Sequence, residues 1–185
     1  MCIRDSYREG GSWNLSSTDG SGFLQALKEK NLDTFSSVLI LGAGGTARAV
    51  AGALDSVSQA ITVLGRSSIR EEALSQAVQV AEFTYKRWQQ SVGFEEYDLV
   101  VNTTPAGAAD LLADNVVDGV SAPLFDVIYN PWPTVLASRW LDCSGVVING
   151  LELLLYQGID QVEKIIGQIP DRVELATYLR KVLNA

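Results

Sequence analysis

Apolar positions along this chain follow two alternating rhythms. Short runs of consecutive aliphatic residues mark strands buried on both faces, and between them apolar residues recur every three or four positions, as on a helix with one covered side. In STDGSGFLQALKEK (17–30), Ser17, Thr18 and Asp19 are candidate N-caps and Phe23, Leu24 and Leu27 have helical spacing. SSVLILG (36–42) is the first strand run. TARAVAGAL (46–54) continues it, with Ala47, Val50, Ala51 and Leu54 on one narrow stripe, which predicts strand, glycine turn and helix. QAITVLGR (59–66) repeats the strand signal, and Ser68 with Glu71 predicts a capping box opening a helix through Leu74, Ala77 and Val78. VAEFTY (80–85) is a weaker strand, YDLVVN (97–102) a strong one, PLFDVIY (123–129) another before the turn-rich NPWP, and VVING (146–150) the last.

Beyond Gly150 the pattern is helical, with Leu151, Leu155, Ile159, Val162 and Ile166 on one expected buried face and a final helix capped by Asp171 with Glu174 after Pro170. The opening Met1 to Ser12 has no periodicity and is set aside as appended or linker sequence. Strands alternating with helices imply the α/β class: a doubly wound, Rossmann-type, mainly parallel sheet with C-terminal helices. The expected division is 1–12 as appended or linker sequence, 13–35 as an interdomain helix, 36–150 as the dinucleotide-binding domain and 151–185 as a helical pair.

Composition narrows the chemistry. With 14 Lys and Arg against 22 Asp and Glu, the net charge of −8 sets up a field that repels phosphate backbones and anionic lipid, so neither nucleic acid nor a membrane is an expected partner. The absence of histidine removes the Ser-His-Asp triad, the HExxH site and every histidine general base. Cys2 and Cys143 have neither disulfide-framework nor zinc spacing, so no metal is expected and a reducing, cytoplasmic setting fits. No apolar run approaches membrane-spanning length, and the first residues lack the apolar core of a signal peptide.

The sharpest motif is Gly42-Ala43-Gly44-Gly45-Thr46-Ala47, a GxGxxA run between a predicted strand and a predicted helix. Gly42 suits the tight turn, Gly44 lets the backbone approach a pyrophosphate, Ala47 lets the helix pack closely, and the helix N-terminus offers amide donors to phosphates. After the second strand, where NAD sites usually carry Asp or Glu, stand Gly65, Arg66, Ser67 and Ser68, with Arg70 close behind. A cation and hydroxyls there favour the 2′-phosphate of NADP. The alternative is that Arg66 is a solvated loop residue.

These residues also carry a family resemblance. GAGGTAR (42–48), the GRS turn (65–67), VNTTPAG (101–107), DVIYNPWPT (126–134) and NGLELLLYQ (149–157) occur in the order and approximate spacing of the motifs of shikimate dehydrogenase. STDGSGF (17–23) resembles that family's NTDxxGF, with Ser17 in place of the usual Asn. The resemblance implies a protein that reduces 3-dehydroshikimate to shikimate with NADPH. It implies that Asp19, beside Thr18, is the catalytic carboxylate contacting a substrate hydroxyl, and that Tyr129 and Gln157 touch the substrate. By the same similarity Val127 and Gly150 lie next to the nicotinamide.

From the residues alone, Thr18 or Asp19 could instead cap the first helix, and Gln157 could be solvated. Asp19 is expected to be an exposed, ionised carboxylate. The family's substrate-binding domain, which holds its catalytic lysine, precedes NTDxxGF. It is expected to be missing here, and Lys28, Lys30, Lys86, Lys164 and Lys181 match no motif. The expected function is that of a cofactor-binding half, inactive alone. The alternatives are a quinate/shikimate dehydrogenase paralogue with a shifted substrate, or a non-catalytic NADP-binding module. Apolar surface left uncovered on the first and last helices keeps a homodimer open.

Overall fold

The computed structural model describes residues 4–9, 11–88, 93–168 and 171–183. Its main sheet has six strands, all parallel: β3 (Phe35–Leu41), β4 (Ser58–Gly65), β5 (Glu82–Arg87), β6 (Leu99–Asn102), β7 (Leu124–Asp126) and β8 (Val147–Asn149). Their spatial order, β5-β4-β3-β6-β7-β8, runs outward in both directions from β3. That is the doubly wound Rossmann order, and it places a topological switch point between β3 and β6, where ligands lodge beyond the carboxyl ends of the strands.

The period of two along each strand divides the core between the faces. From β3, Val38 and Ile40 join Ile61, Val63, Leu99 and Val101 in one cluster, while Leu39 and Leu41 join Leu64, Val100 and Leu124 in the other. On the first face lie α1 (Asp19–Lys28), α2 (Gly45–Leu54), α3 (Glu71–Ser75) and α5 (Gly150–Ile166), which bury Phe23, Leu27, Val50, Leu54, Leu74, Leu155 and Ile159. On the second lie α4 (Val135–Asp142) and short 3-10 turns, with Leu112, Leu136 and Trp140 at their centre. Thr134 caps α4 by accepting from the Ala137 amide at 3.0 Å, and a helix there is not announced by the Pro- and Trp-rich turn before it. Among the described residues no helix is long and apolar enough to cross a membrane.

Four expectations need correction or extension. The opening residues lack periodicity yet pair: β1 (Arg4–Glu9) lies antiparallel to β2 (Ser12–Ser17) in a separate two-stranded sheet, with Gly11 at φ +85° at the turn. Residues 1–3 and Gly10 lie outside the described residues, as does Pro170. The Ser68–Glu71 capping box does not form. Ser68 lies in a 3-10 turn and α3 ends at Ser75, although Leu74 and Val78 are both buried. The apolar stripe of α5 is buried at Leu155 and Ile159 but exposed at Val162 and Ile166, because the helix outruns the sheet it covers. Asp171 does cap α6 (Arg172–Leu183), accepting from the amides of Val173 and Glu174 at 2.8 and 3.0 Å. The last correction concerns Asp19, which belongs with the site.

Candidate cofactor site

A cleft of about 710 Å³ opens at the switch point. Gly42, Ala43, Gly44, Gly45 and Thr46 form one wall, and Arg66, Ser67 and Arg70 form another, so the glycine turn and the arginine segment face one space. Gly42 is fixed by the fold: its φ is +102°, and a Cβ there would lie 2.7 Å from Thr103 Oγ1. Gly44 is different. Its φ of −82° suits any residue, and a Cβ there would meet nothing closer than Arg70 Nη1 at 3.7 Å. The fold therefore has no need of glycine at position 44, whereas a ligand approaching the backbone does. Gly44 is also the N-cap of α2 and provides no side-chain cap, so the helix terminus and its positive dipole end point into the cleft.

The cleft has a third wall that the glycine and arginine motifs do not reveal: Thr103, Thr104, Pro105 and Ala108 after β6, with Trp88 after β5 and Ile69 beside the arginines. The switch-point rule together with TTPAG behind a strong strand is the signal that could have found it. Thr103 is tied to the end of β3, its amide and hydroxyl donating to the Leu41 carbonyl at 2.9 and 2.8 Å. Beneath this wall lies a buried polar network. Asp126 accepts from Asn102 Nδ2 (3.1 Å), the Ile128 amide (3.1 Å) and Thr134 Oγ1 (2.7 Å), while Asn102 Oδ1 accepts from the Thr104 amide and hydroxyl. Burial pushes the Asp126 carboxyl above the usual carboxylate value, against the opposing pull of its hydrogen bonds from Thr134, Ile128 and Asn102.

The remaining expected site residues fall in two further places. Val127 and Gly150 come together where α5 starts: a Cβ on Gly150 would collide with the Val127 carbonyl, so only glycine permits that approach. Thr18, Asp19 and Gln157 belong to the seam between α1 and α5, where a Cβ on Gly22 would lie 2.6 Å from the Gln157 nitrogen. Asp19 is only 2% exposed, contrary to the exposed carboxylate expected, because α5 closes over the start of α1. Thr18 occupies the N-cap position without a side-chain capping bond, and its hydroxyl is buried with no hydrogen-bond partner among the described residues. Tyr129, two residues beyond Val127, is 49% exposed.

A parallel six-stranded sheet with a glycine turn at its switch point is shared by many dehydrogenases, and comparison with known proteins narrows it. The family model Shikimate / quinate 5-dehydrogenase matches residues 26–127, more than half of the chain. The chain belongs to that family. It is 33% identical over 179 residues to the shikimate dehydrogenase (NADP(+)) of Methanothermobacter thermautotrophicus, a match covering 90% of this chain and 62% of the relative. The shikimate dehydrogenase structure of Mycobacterium tuberculosis superposes with a TM-score of 0.80 at 30% identity, covering 93% of this chain and 66% of that one. The Thermus thermophilus shikimate 5-dehydrogenase, solved in complex with NADP(H) and shikimate, gives 0.73 at 28% identity, with 95% and 66% covered. The chain thus spans somewhat under two thirds of the length of these relatives.

Proposed function

We propose that this chain is the cofactor-binding part of an NADP-dependent shikimate dehydrogenase, a member of a reaction class that reduces 3-dehydroshikimate to shikimate with NADPH. The observation that carries the proposal is the convergence of the glycine turn and the Arg66-Ser67-Arg70 segment on one cleft at the switch point. The cofactor fits the residues present: an open backbone at Gly44 for the pyrophosphate, a helix N-terminus behind it, and two guanidiniums where a 2′-phosphate would lie. When bound, the dinucleotide supplies the hydride, and the chain's own residues hold and orient it. Val127 and Gly150, packed together, would back the nicotinamide. Thr18, Asp19, Gln157 and Tyr129 would contact the substrate, with Asp19 as the catalytic carboxylate. The buried, unpartnered Thr18 hydroxyl supports a polar ligand at that seam.

A quinate-preferring relative is the second reading, because the matched family model itself joins shikimate and quinate. A non-catalytic NADP-binding module is the third, and the joint presence of Asp19, Gln157 and Tyr129 argues against it. Titration with NADPH and NADH, beside an assay of shikimate- and quinate-dependent NADPH formation on the same sample, tests all three. The 185-residue chain is expected to bind NADPH but not to turn over either substrate, and a longer form carrying a lysine-bearing substrate domain is expected to do both. Turnover by the 185-residue chain would place the catalytic lysine among the five it has. A chain that binds neither cofactor would end the proposal.

A further inference from the structure

Behind the arginine wall of the cleft stands a tyrosine that does not line it. Tyr85 lies on β5 opposite Val63 of β4, and its hydroxyl crosses to the end of β4, where it donates to the Ser67 carbonyl at 2.6 Å. The crossing is possible only because residue 65 has no side chain. A Cβ on Gly65 would fall on the Tyr85 hydroxyl, 2.6 Å from the ring Cζ and 3.1 Å from Ala43 Cβ. Gly65 has no positive φ to accommodate, so the close approach is what position 65 requires.

The segment carrying the cations is thus held at two points. Tyr85 anchors the Ser67 carbonyl from below, and Arg70 Nη1 donates to the Ala43 carbonyl of the glycine turn at 3.3 Å. Just ahead of them the Gly65 carbonyl accepts from the amide of Trp88, beyond β5, at 2.8 Å, so Arg66 is bracketed by held carbonyls at Gly65 and Ser67, and both Arg66 and Ser67 face the cleft. Partial burial and the nearby Glu71 carboxylate hold the Tyr85 phenol above its ordinary value, outweighing Arg87 and Arg70, so it remains a proton donor at neutral pH.

We propose that Tyr85, through its hydrogen bond to the Ser67 carbonyl over the bare Cα of Gly65, is the positioning residue that sets the Arg66-Ser67 segment for a 2′-phosphate and so tunes the choice between NADPH and NADH. The inference rests on the 2′-phosphate reading of Arg66. An unanchored segment would sample orientations in which the guanidinium does not meet the phosphate, and NADPH would bear that cost while NADH, lacking the phosphate, would not.

The test measures the ratio of the NADH and NADPH dissociation constants for wild type, Tyr85→Phe, Gly65→Ala and Arg66→Ala. Tyr85→Phe keeps the ring and removes only the donor. It is expected to lower the ratio about two- to tenfold, the effect of one net hydrogen bond, with NADH affinity unchanged. Gly65→Ala, whose Cβ would displace the hydroxyl, should lower the ratio likewise. NADH affinity serves as the control for an intact cleft. If wild type prefers NADPH and Arg66→Ala abolishes the preference, but Tyr85→Phe and Gly65→Ala retain it, the role of Tyr85 is overturned and the 2′-phosphate reading stands. If wild type binds the two cofactors equally, the 2′-phosphate reading fails and takes this inference with it.

Discussion

At the scale of single residues, two positions in the cleft separate what the fold needs from what a ligand needs. Gly44 meets no steric demand of the fold, so Gly44→Val is expected to cost about 1 kcal/mol of stability, as for a poorer N-cap, yet to abolish NADPH binding by filling the space beside the backbone. A thermal melt with a cofactor titration checks both halves, and normal binding would put the phosphates elsewhere. Arg66 is exposed on the rim, where the alternative is a solvated loop side chain. A charge-assisted contact to a 2′-phosphate is worth about 1.5–3 kcal/mol, roughly ten- to hundredfold in affinity. Arg66→Asp is therefore expected to remove that NADPH preference or invert it, measured as the ratio of the two affinities, whereas a solvated Arg66 would leave the ratio where it was.

At the scale of elements, the Asp126 network joins the ends of β6 and β7 to the start of α4, and its two obvious substitutions should differ sharply. Asp126→Leu leaves the Asn102 amide, the Ile128 N–H and the Thr134 hydroxyl buried without their acceptor, at about 1–3 kcal/mol each, a large share of any domain's stability. Asp126→Asn keeps one acceptor oxygen and is expected to cost far less. Because burial raises the Asp126 carboxyl in the folded state, its contribution favours folding fully below the unfolded value near pH 4 and is lost as pH rises through the folded value. Urea unfolding over a pH series should show wild type losing ground to Asp126→Asn as pH rises, and a pH-independent difference would contradict the shift. Elements were legible in the sequence wherever burial imposed the pattern: β3, α2, β4 and β6 are buried runs or stripes and were found. α4 and the third wall of the cleft were not, because Thr134, Thr103 and Asn102 act through hydrogen bonds between segments distant in sequence. The capping box at Ser68 failed for the reverse reason, a local motif overridden by the tight turn that carries Arg66 to Arg70.

At the scale of the whole molecule, the sheet and its covering helices are well buried, but the C-terminal end is not. Beyond Ile159, α5 exposes Val162, Ile165 and Ile166, and α6, packed beside it, exposes Val173, Tyr178, Val182 and Leu183. α1, by contrast, has Phe23 and Leu27 covered, so the expectation of bare apolar surface holds for the last helices and not for the first. Exposed apolar faces drive association, while a net charge of −8 opposes bringing two copies together. The two effects respond oppositely to salt: screening weakens the repulsion, and excluded anions such as sulfate strengthen apolar burial. The 185-residue chain is therefore expected to self-associate with rising concentration, and more strongly in sodium sulfate. Ile165→Lys, at a position 82% exposed with no core contact to lose, should reduce that association while leaving NADPH affinity unchanged. Sedimentation velocity over a concentration and salt series distinguishes the outcomes: a chain monomeric throughout would show that the exposed face is too dispersed to associate, and association that salt dissolves would trace it to ion pairs instead of the apolar face.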